Sequence, residues 1–166
     1  QPSYGLVNTL LGYLGIRGPG WLGSPDWAMP AMIIMTVWQS TGTLMVIYLA
    51  GLQGIPEYLY EAASLDGAGS WQRFRYITVP MLSPTIFFTI VYSTIQCFQS
   101  LFTYVFMMTN GGPMYATYVL VFHIYKNAFE YFKMGYASTL AWLLFIIVFV
   151  LTMLQFKLSS WVHYES

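Results

Sequence analysis

Three long apolar stretches dominate the hydrophobic pattern of this chain. They cover residues 28–52, 85–108 and 134–156, and none contains Asp, Glu, Lys or Arg. Crossing the hydrocarbon of a bilayer takes about 20 mostly apolar residues as a helix. Within hydrocarbon only helices and closed barrels satisfy every backbone N–H and C=O. These stretches are too long and too continuously apolar for barrel strands, so the pattern predicts three membrane-spanning helices in an all-α membrane protein. The segments between them differ in character. Residues 1–27 are rich in Gly, Pro and Trp and end in GIRGPGWLGSPDW, a composition expected to make turns rather than a helix. Trp21 and Trp27 suit an aromatic belt at a membrane interface. Residues 53–84 hold the densest charge. Residues 109–133 open on NGGP, and their apolar core, Tyr118 to Tyr125, is too short to span; it is expected to form an interfacial or re-entrant helix. Residues 157–166 are left as a tail.

Composition supports lipid as the solvent. The chain is 57% hydrophobic and 7% charged, against about 25% charged for a soluble domain. Six basic and six acidic side chains cancel, so no net field favours nucleic acid. The single Cys97 excludes an internal disulfide and is expected to be a small packing residue. His123 and His163 have no metal-ligand spacing to each other or to Cys97, and both are expected at an interface; no metal site and no bound cofactor is expected. The opening QPSYG has neither an initiator Met nor a basic segment leading into an apolar one, so the sequence reads as a piece of a longer protein. Basic residues do not orient it: Arg73, Arg75 and Lys157 fall on one side, and Arg17, Lys126 and Lys133 on the other.

The second span carries a polar stripe. Thr89, Ser93, Gln96, Ser100 and Thr103 follow one another at spacings of four, three, four and three, which aligns them on one helical face. Gln99 lies beside them. Polar side chains in a span face protein or a water-filled path, and hydrogen bonds between helices are the alternative use. Thr89 and Ser93 fit both uses equally. Gln96, Gln99, Ser100 and Thr103 approach mid-membrane and are candidates for a solute path, together with Gln39, Ser40 and Thr43 in the first span and Ser138, Thr139 and Trp142 in the third. Neutral amides and hydroxyls suit a neutral sugar. The absence of Asp, Glu, Lys and Arg from these stretches argues against a proton-coupled carrier. No span holds a catalytic pair, and the chain has no GxxxxGK[ST] phosphate loop.

The stretch EAASLDGAGSWQRFRYITVP, Glu61 to Pro80, is ordered differently. Pro56 is favoured at the start of a helix that runs through Leu65. Ala62 and Ala63 give that helix a low surface that admits close approach. Gly67 is expected to end it in a left-handed conformation, and Ser70 to cap a second helix, WQRFRYITV. Pro80 and Pro84 are expected to break the path before the next span. The result is a helix–turn–helix on the membrane surface, suited to docking.

The pattern E-A-A-x-x-D-G-A, then F-x-x-I-x-x-P-x-x-x-P, is carried by Glu61, Ala62, Ala63, Asp66, Gly67, Ala68, Phe74, Ile77, Pro80 and Pro84. It resembles the EAA loop of the permease subunits of binding-protein-dependent ABC importers. LAGLQGIPEYLYEAA, TNGGP and AFEYFKMGYAS resemble the carbohydrate-uptake subfamily, the maltose and glycerol-phosphate type. The resemblance implies a type I importer permease of about six spans of roughly 20 residues each, of which these would be the last three. It implies a multi-pass protein of a bacterial or archaeal cytoplasmic membrane, with the Glu61 loop and the C-terminus inside and the NGGP loop outside. It gives Glu61, Ala62, Ala63, Asp66, Gly67, Ala68 and Phe74, with Glu57 at the head of the same helix, the coupling of this subunit to cytoplasmic ATP-binding subunits. The chain would then not be an enzyme itself. Its implied partners are those subunits, a second permease subunit, an external solute-binding protein, a sugar and the bilayer. The competing expectation is a membrane scaffold that docks a soluble partner through the same loop and transports nothing.

Overall fold

A computed structural model describes residues Gly5 to Ser159. His163 and most of the expected tail lie outside the described residues. Among the described residues the regular structure is helical. A short helix, α1 (Leu6–Tyr13), precedes α2 (Pro25–Gln53). Then come α3 (Glu57–Leu65), α4 (Ser70–Arg73), a π-turn at Phe74–Thr78, and α5 (Val79–Met81). The second long helix, α6 (Ser83–Tyr104), ends in a π-turn at Val105–Thr109. Helix α7 (Leu120–Tyr125) runs into a π-turn at Lys126–Glu130, and α8 (Met134–Lys157) closes the sequence. Three of these helical segments, Pro25–Gln53, Ser83–Thr109 and Met134–Lys157, are long and apolar enough to cross a membrane.

Capping chemistry, rather than hydropathy, sets where the first span begins. The carbonyl of Ser24 accepts from Trp27 at 3.2 Å and from Ala28 at 2.9 Å. Pro25, which lacks an N–H, takes the first helical position, and Asp26 meets the positive end of the helix. The helix therefore starts three residues before the expected Ala28. The expectation that residues 1–27 hold no helix was wrong for α1. Gly and Pro crowd together only from Gly15 onward, while LVNTLLGY before them has apolar residues at helical spacing.

The described residues form two compact units, 5–38 with 96–148, and 39–95 with 149–159. In the first unit, Met32, Val105 and Phe122 are fully buried, with Leu101, Phe102, Tyr118 and Tyr125 packed around them. Helix α7 is thus held in a protein core through Phe122 rather than lying free at an interface. The NGGP turn is locked onto it. Asn110 is left-handed and donates its N–H to the Val105 carbonyl at 2.7 Å. The buried Thr117 hydroxyl donates to the Gly112 carbonyl at 2.7 Å and lies 2.7 Å from the Thr109 hydroxyl. His123, expected at an interface, is half-buried, with Nδ1 at 3.1 Å from the Tyr118 hydroxyl, and Asn127 Nδ2 donates to its carbonyl at 2.8 Å. Burial pushes the Tyr118 phenol above its ordinary pKa. Trp21 donates to Asn8 Oδ1 at 2.6 Å and meets Trp27 edge-on at 5.6 Å.

In the second unit, α2 and α6 approach closely at Gly51. A Cβ there would lie 2.7 Å from Thr85 Oγ1 and 3.0 Å from Leu82 Cδ2. Small residues at such crossings let helix backbones come together in lipid. Phe87 meets Phe156 of α8 edge-on at 5.1 Å. Cys97, in the first unit, is exposed rather than packed, a correction to its expected role.

Gly111 is the most constrained position in the NGGP turn. Its φ is +82°, and a Cβ would fall 2.8 Å from both Phe122 Cε1 and Tyr118 Cδ2. Gly111→Ala should therefore cost about 1 kcal/mol for the left-handed backbone alone and more for the displaced rings. A lower unfolding temperature of the purified protein checks this, and an unchanged one contradicts it.

Candidate functional site

The surface helix pair α3–α4 is built by its turn. The Ala68 N–H reaches the Ala63 carbonyl at 2.9 Å, and the Gly67 N–H reaches the Ser64 carbonyl at 3.1 Å. These two bonds are the Schellman pattern, which needs a left-handed residue after the C-cap. Gly67 supplies it at φ +79°. Ala68 is the residue whose N–H closes the longer bond. The spacing D-G-A therefore has a local backbone reason.

Helix α4 starts one residue earlier than expected. Gly69, not Ser70, is its N-cap, and Ser70 is the first helical residue. The Gly69 N–H donates to Gln72 Oε1 at 2.8 Å, the return half of a capping box. The expected break at Pro80 and Pro84 is also absent. Apart from the single turn residue Leu82, helical backbone continues from Ser70 to Thr109. Proline clashes with the carbonyl four residues back in a regular helix. Here the wider π-turn at Phe74–Thr78 immediately precedes Pro80, and Val79 bonds five residues back to Phe74. Bonds from Leu82 to Thr78 and from Ile86 to Leu82, each 2.9 Å, carry the run past both prolines.

The pair presents one mixed surface. Glu57, Glu61, Ala62, Asp66, Gly67 and Phe74 are exposed, while Ala63 and Ala68 are half-buried. Leu65 is 89% exposed and Trp71 73% exposed. Trp71 and Phe74 pack against each other with ring centroids 5.6 Å apart. Large apolar groups thus stand exposed beside carboxylates on this turn, and exposed apolar patches of this kind mark interaction surfaces. Among the described residues no group of three or more His, Cys, Asp or Glu could hold a metal ion.

The polar residues of the spans fall into two sets. Gln39, Ser40 and Thr43 belong to the second unit and are exposed. Gln96, Gln99, Ser100, Thr103, Ser138, Thr139 and Trp142 belong to the first. Of these, Gln96 and Ser100 are half-buried, and Gln99, Thr103 and Trp142 are exposed. Ser138 and Thr139 donate to their own helix, at the Met134 and Gly135 carbonyls, at 2.8 Å and 3.0 Å. Trp142 meets Phe145 edge-on at 5.7 Å. Thr89 is settled differently. It is buried, and its hydroxyl lies 2.7 Å from the Tyr48 hydroxyl of α2, a bond between helices.

The chain matches the family described as "Binding-protein-dependent transport system inner membrane component" over residues 2–163. It belongs to that family. This permease chain is 45% identical over 166 residues to the probable ABC transporter permease protein YesP of Bacillus subtilis, covering 98% of this chain and 53% of that one. It is 40% identical over 151 residues to the sulfoquinovosyl glycerol transport system permease protein SmoG of Agrobacterium fabrum, covering 91% and 47%. Its fold matches a chain from the crystal structure of a bacterial alginate ABC transporter in complex with an alginate pentasaccharide-bound periplasmic protein. There the TM-score is 0.84 at 26% identity, over 96% of this chain and 56% of that one. The permease chain thus spans about half the length of the relatives it matches. Its fold is that of importer permeases, and its family is one of inner-membrane components.

Among the side-chain pairs that the sequence pattern does not reveal are Tyr60 with Thr78, Tyr48 with Thr89, and Gln155 with Thr94. The signal was there in part. A Tyr within an apolar span needs a partner for its hydroxyl, and Tyr48 sits in VIYLAG. Which threonine it meets depends on how the helices cross, and periodicity within one helix does not carry that.

Proposed function

We propose that this chain is membrane machinery of a carbohydrate ABC importer. Its α3–α4 pair receives the motion of ATP-binding subunits, and its spans form part of the sugar's path. One observation carries the reading. The family's chain folds its most polar segment into a rigid, exposed helix pair with unpaired apolar side chains, and a helical run leads from that pair directly into a span. Glu57, Glu61, Asp66 and Phe74 stand on the docking surface, and Gly67 fixes its turn.

The mechanism follows from what each part offers. ATP hydrolysis belongs to a partner subunit; this chain contributes neither catalysis nor a cofactor. Closure of the ATP-binding subunits moves α3–α4, and the spans rock between outward and inward access. A periplasmic solute-binding protein delivers the sugar on the Asn110–Tyr118 side, and a second permease subunit completes the path. Gln96, Gln99, Ser100 and Thr103, with Gln39, Ser40, Thr43, Ser138, Thr139 and Trp142, are the candidate contacts. Their neutral amides, hydroxyls and indole favour an uncharged sugar, since an anionic one would need opposing charge in hydrocarbon.

Three experiments on the full-length subunit in its assembled complex test this. Glu61→Lys reverses the charge on the docking surface, and Gly67→Val puts a β-branched residue at a left-handed position. Each should reduce assembly with the ATP-binding subunits or sugar-stimulated ATP hydrolysis by about tenfold, as loss of one buried charged contact does; normal assembly and stimulation in both sinks the docking role. Orientation is read by thiol labelling of intact cells, with the exposed Cys97 first replaced. Ser70→Cys should react only from the cytoplasm and Met114→Cys only from outside, and the reverse pattern overturns the assigned sides. For the path, Gln96→Leu or Ser100→Leu removes a hydrogen bond worth about 0.5–1.5 kcal/mol. Sugar uptake per assembled complex should fall about twofold to tenfold or shift in preference. Normal uptake with reduced thermal stability would make these residues helix contacts instead.

A further inference from the structure

Helix α3 is tied to its surroundings in two ways. Arg73 Nη1 donates to Ser64 Oγ at 3.0 Å, and the Ser64 hydroxyl donates to the Tyr60 carbonyl at 2.7 Å. Both bonds are exposed; the first joins α3 to its neighbour α4, and the second lies within α3. The second tie is different. The Tyr60 hydroxyl lies 2.9 Å from Thr78 Oγ1 in a part-buried contact. Thr78 is the last residue of the π-turn, and its carbonyl accepts from Leu82, whose own carbonyl accepts from Ile86 of α6.

The π-turn between α4 and α5 is the compliant part of this connection. Its hydrogen bonds close larger rings than those of an α-helix, and such turns occur at points of functional adjustment. A displacement of α3 and α4 acting only through the backbone would be absorbed there. The Tyr60–Thr78 bond bypasses it, joining α3 to the far end of the turn. The π-turn also sets the phase. One extra residue in a helical run rotates everything after it by about 100° relative to an uninterrupted helix. Thr78 meets Tyr60 only with that extra residue in place.

We propose that Tyr60 and Thr78 are positioning residues that pass the motion of the docking pair to span α6, separate from the surface that binds the ATP-binding subunits. The proposal rests on the function given above and names a contact that function does not require. Tyr60 is half-buried while Glu57, Tyr58 and Glu61 around it are exposed, so binding a partner and holding Thr78 use different faces of one helix.

The test uses the full-length subunit in its assembled, reconstituted complex, with sugar imported per ATP hydrolysed as the readout. Tyr60→Phe keeps the ring and removes the hydroxyl. Thr78→Val keeps the shape and removes the hydroxyl, whereas Thr78→Ser keeps the hydroxyl. Tyr60→Phe and Thr78→Val should assemble as the unmodified subunit does but import about twofold to tenfold less sugar per ATP, the factor carried by one net hydrogen bond. Thr78→Ser should stay near the unmodified ratio. The double variant Tyr60→Phe with Thr78→Val should be no worse than either single one, because both remove the same bond. An unmodified ratio in both single variants, additive losses in the double, or failed assembly in both would overturn the proposal. Absence of ATP-driven import in the unmodified complex would instead remove the function on which it rests, and the proposal with it.

Discussion

A hydroxyl or amide in hydrocarbon has no water to turn to, and that constraint organises the second unit of this chain. The helical run from Ser70 through α6 carries threonines at three levels, each meeting a different helix. Thr78 meets Tyr60 of α3, Thr89 meets Tyr48 of α2, and Thr94 accepts from Gln155 of α8 at 2.7 Å. Each bond contributes modestly; such contacts in membranes average about 0.6 kcal/mol. The larger effect is on specificity. Sliding or rotating α2 or α8 against α6 would strand polar groups in lipid, at several kcal/mol each. The apolar surface of the spans is nearly uniform and would tolerate many registers, so the polar pairs select one. Gly51 adds a steric condition, since only a residue without a side chain lets α2 reach α6 at that crossing.

The same comparison shows what periodicity and composition carry. The three spans were legible because length and hydropathy have no other use at that scale. The turn at Gly67 was legible because a Schellman closure demands one residue type at one place. The start of α2 was misplaced because hydropathy marks the apolar core, whereas Ser24, Pro25 and Asp26 mark the helix. The prolines misled in the other direction. Their clash with an α-helix is real, but a π-turn ahead of Pro80 removes it without ending the run. Thr89 could serve a path or a helix contact on the sequence alone, and its partner lies 41 residues away. The path candidates are the least legible. A stripe on one helix says which residues share a face, and the face opposite it depends on other helices.

The first unit applies a different rule to a similar problem. Its connection between the second and third spans packs back onto the protein. The apolar core of that segment, too short to span, is used for packing, with Phe122 wholly inside. The turn that precedes it is closed by Thr109, Thr117 and the backbone of Gly111 and Gly112, so its polar groups are paired before the segment folds back. Pairing of this kind lets irregular backbone lie against spans. It also leaves Met114 and Tyr115 exposed at the tip, 86% and 78%, on a base fixed by buried threonines.

Charge is distributed so that little can happen electrostatically within the apolar stretches. Residues 28–52, 85–108 and 134–156 hold no Asp, Glu, Lys or Arg, while Glu57, Glu61, Asp66, Arg73 and Arg75 crowd into one connection. A ligand shifts a conformational equilibrium only by binding its two states differently. In these stretches, the groups that could bind differently are neutral ones, and hydrogen bonds to a neutral solute supply a kilocalorie or so each. The connection from Glu57 to Arg75 is where this chain concentrates its exposed charge and much of its exposed aromatic surface. It leads into α6 through a helical run interrupted only at the turn residue Leu82, and the part-buried Tyr60–Thr78 hydrogen bond spans the π-turn between them.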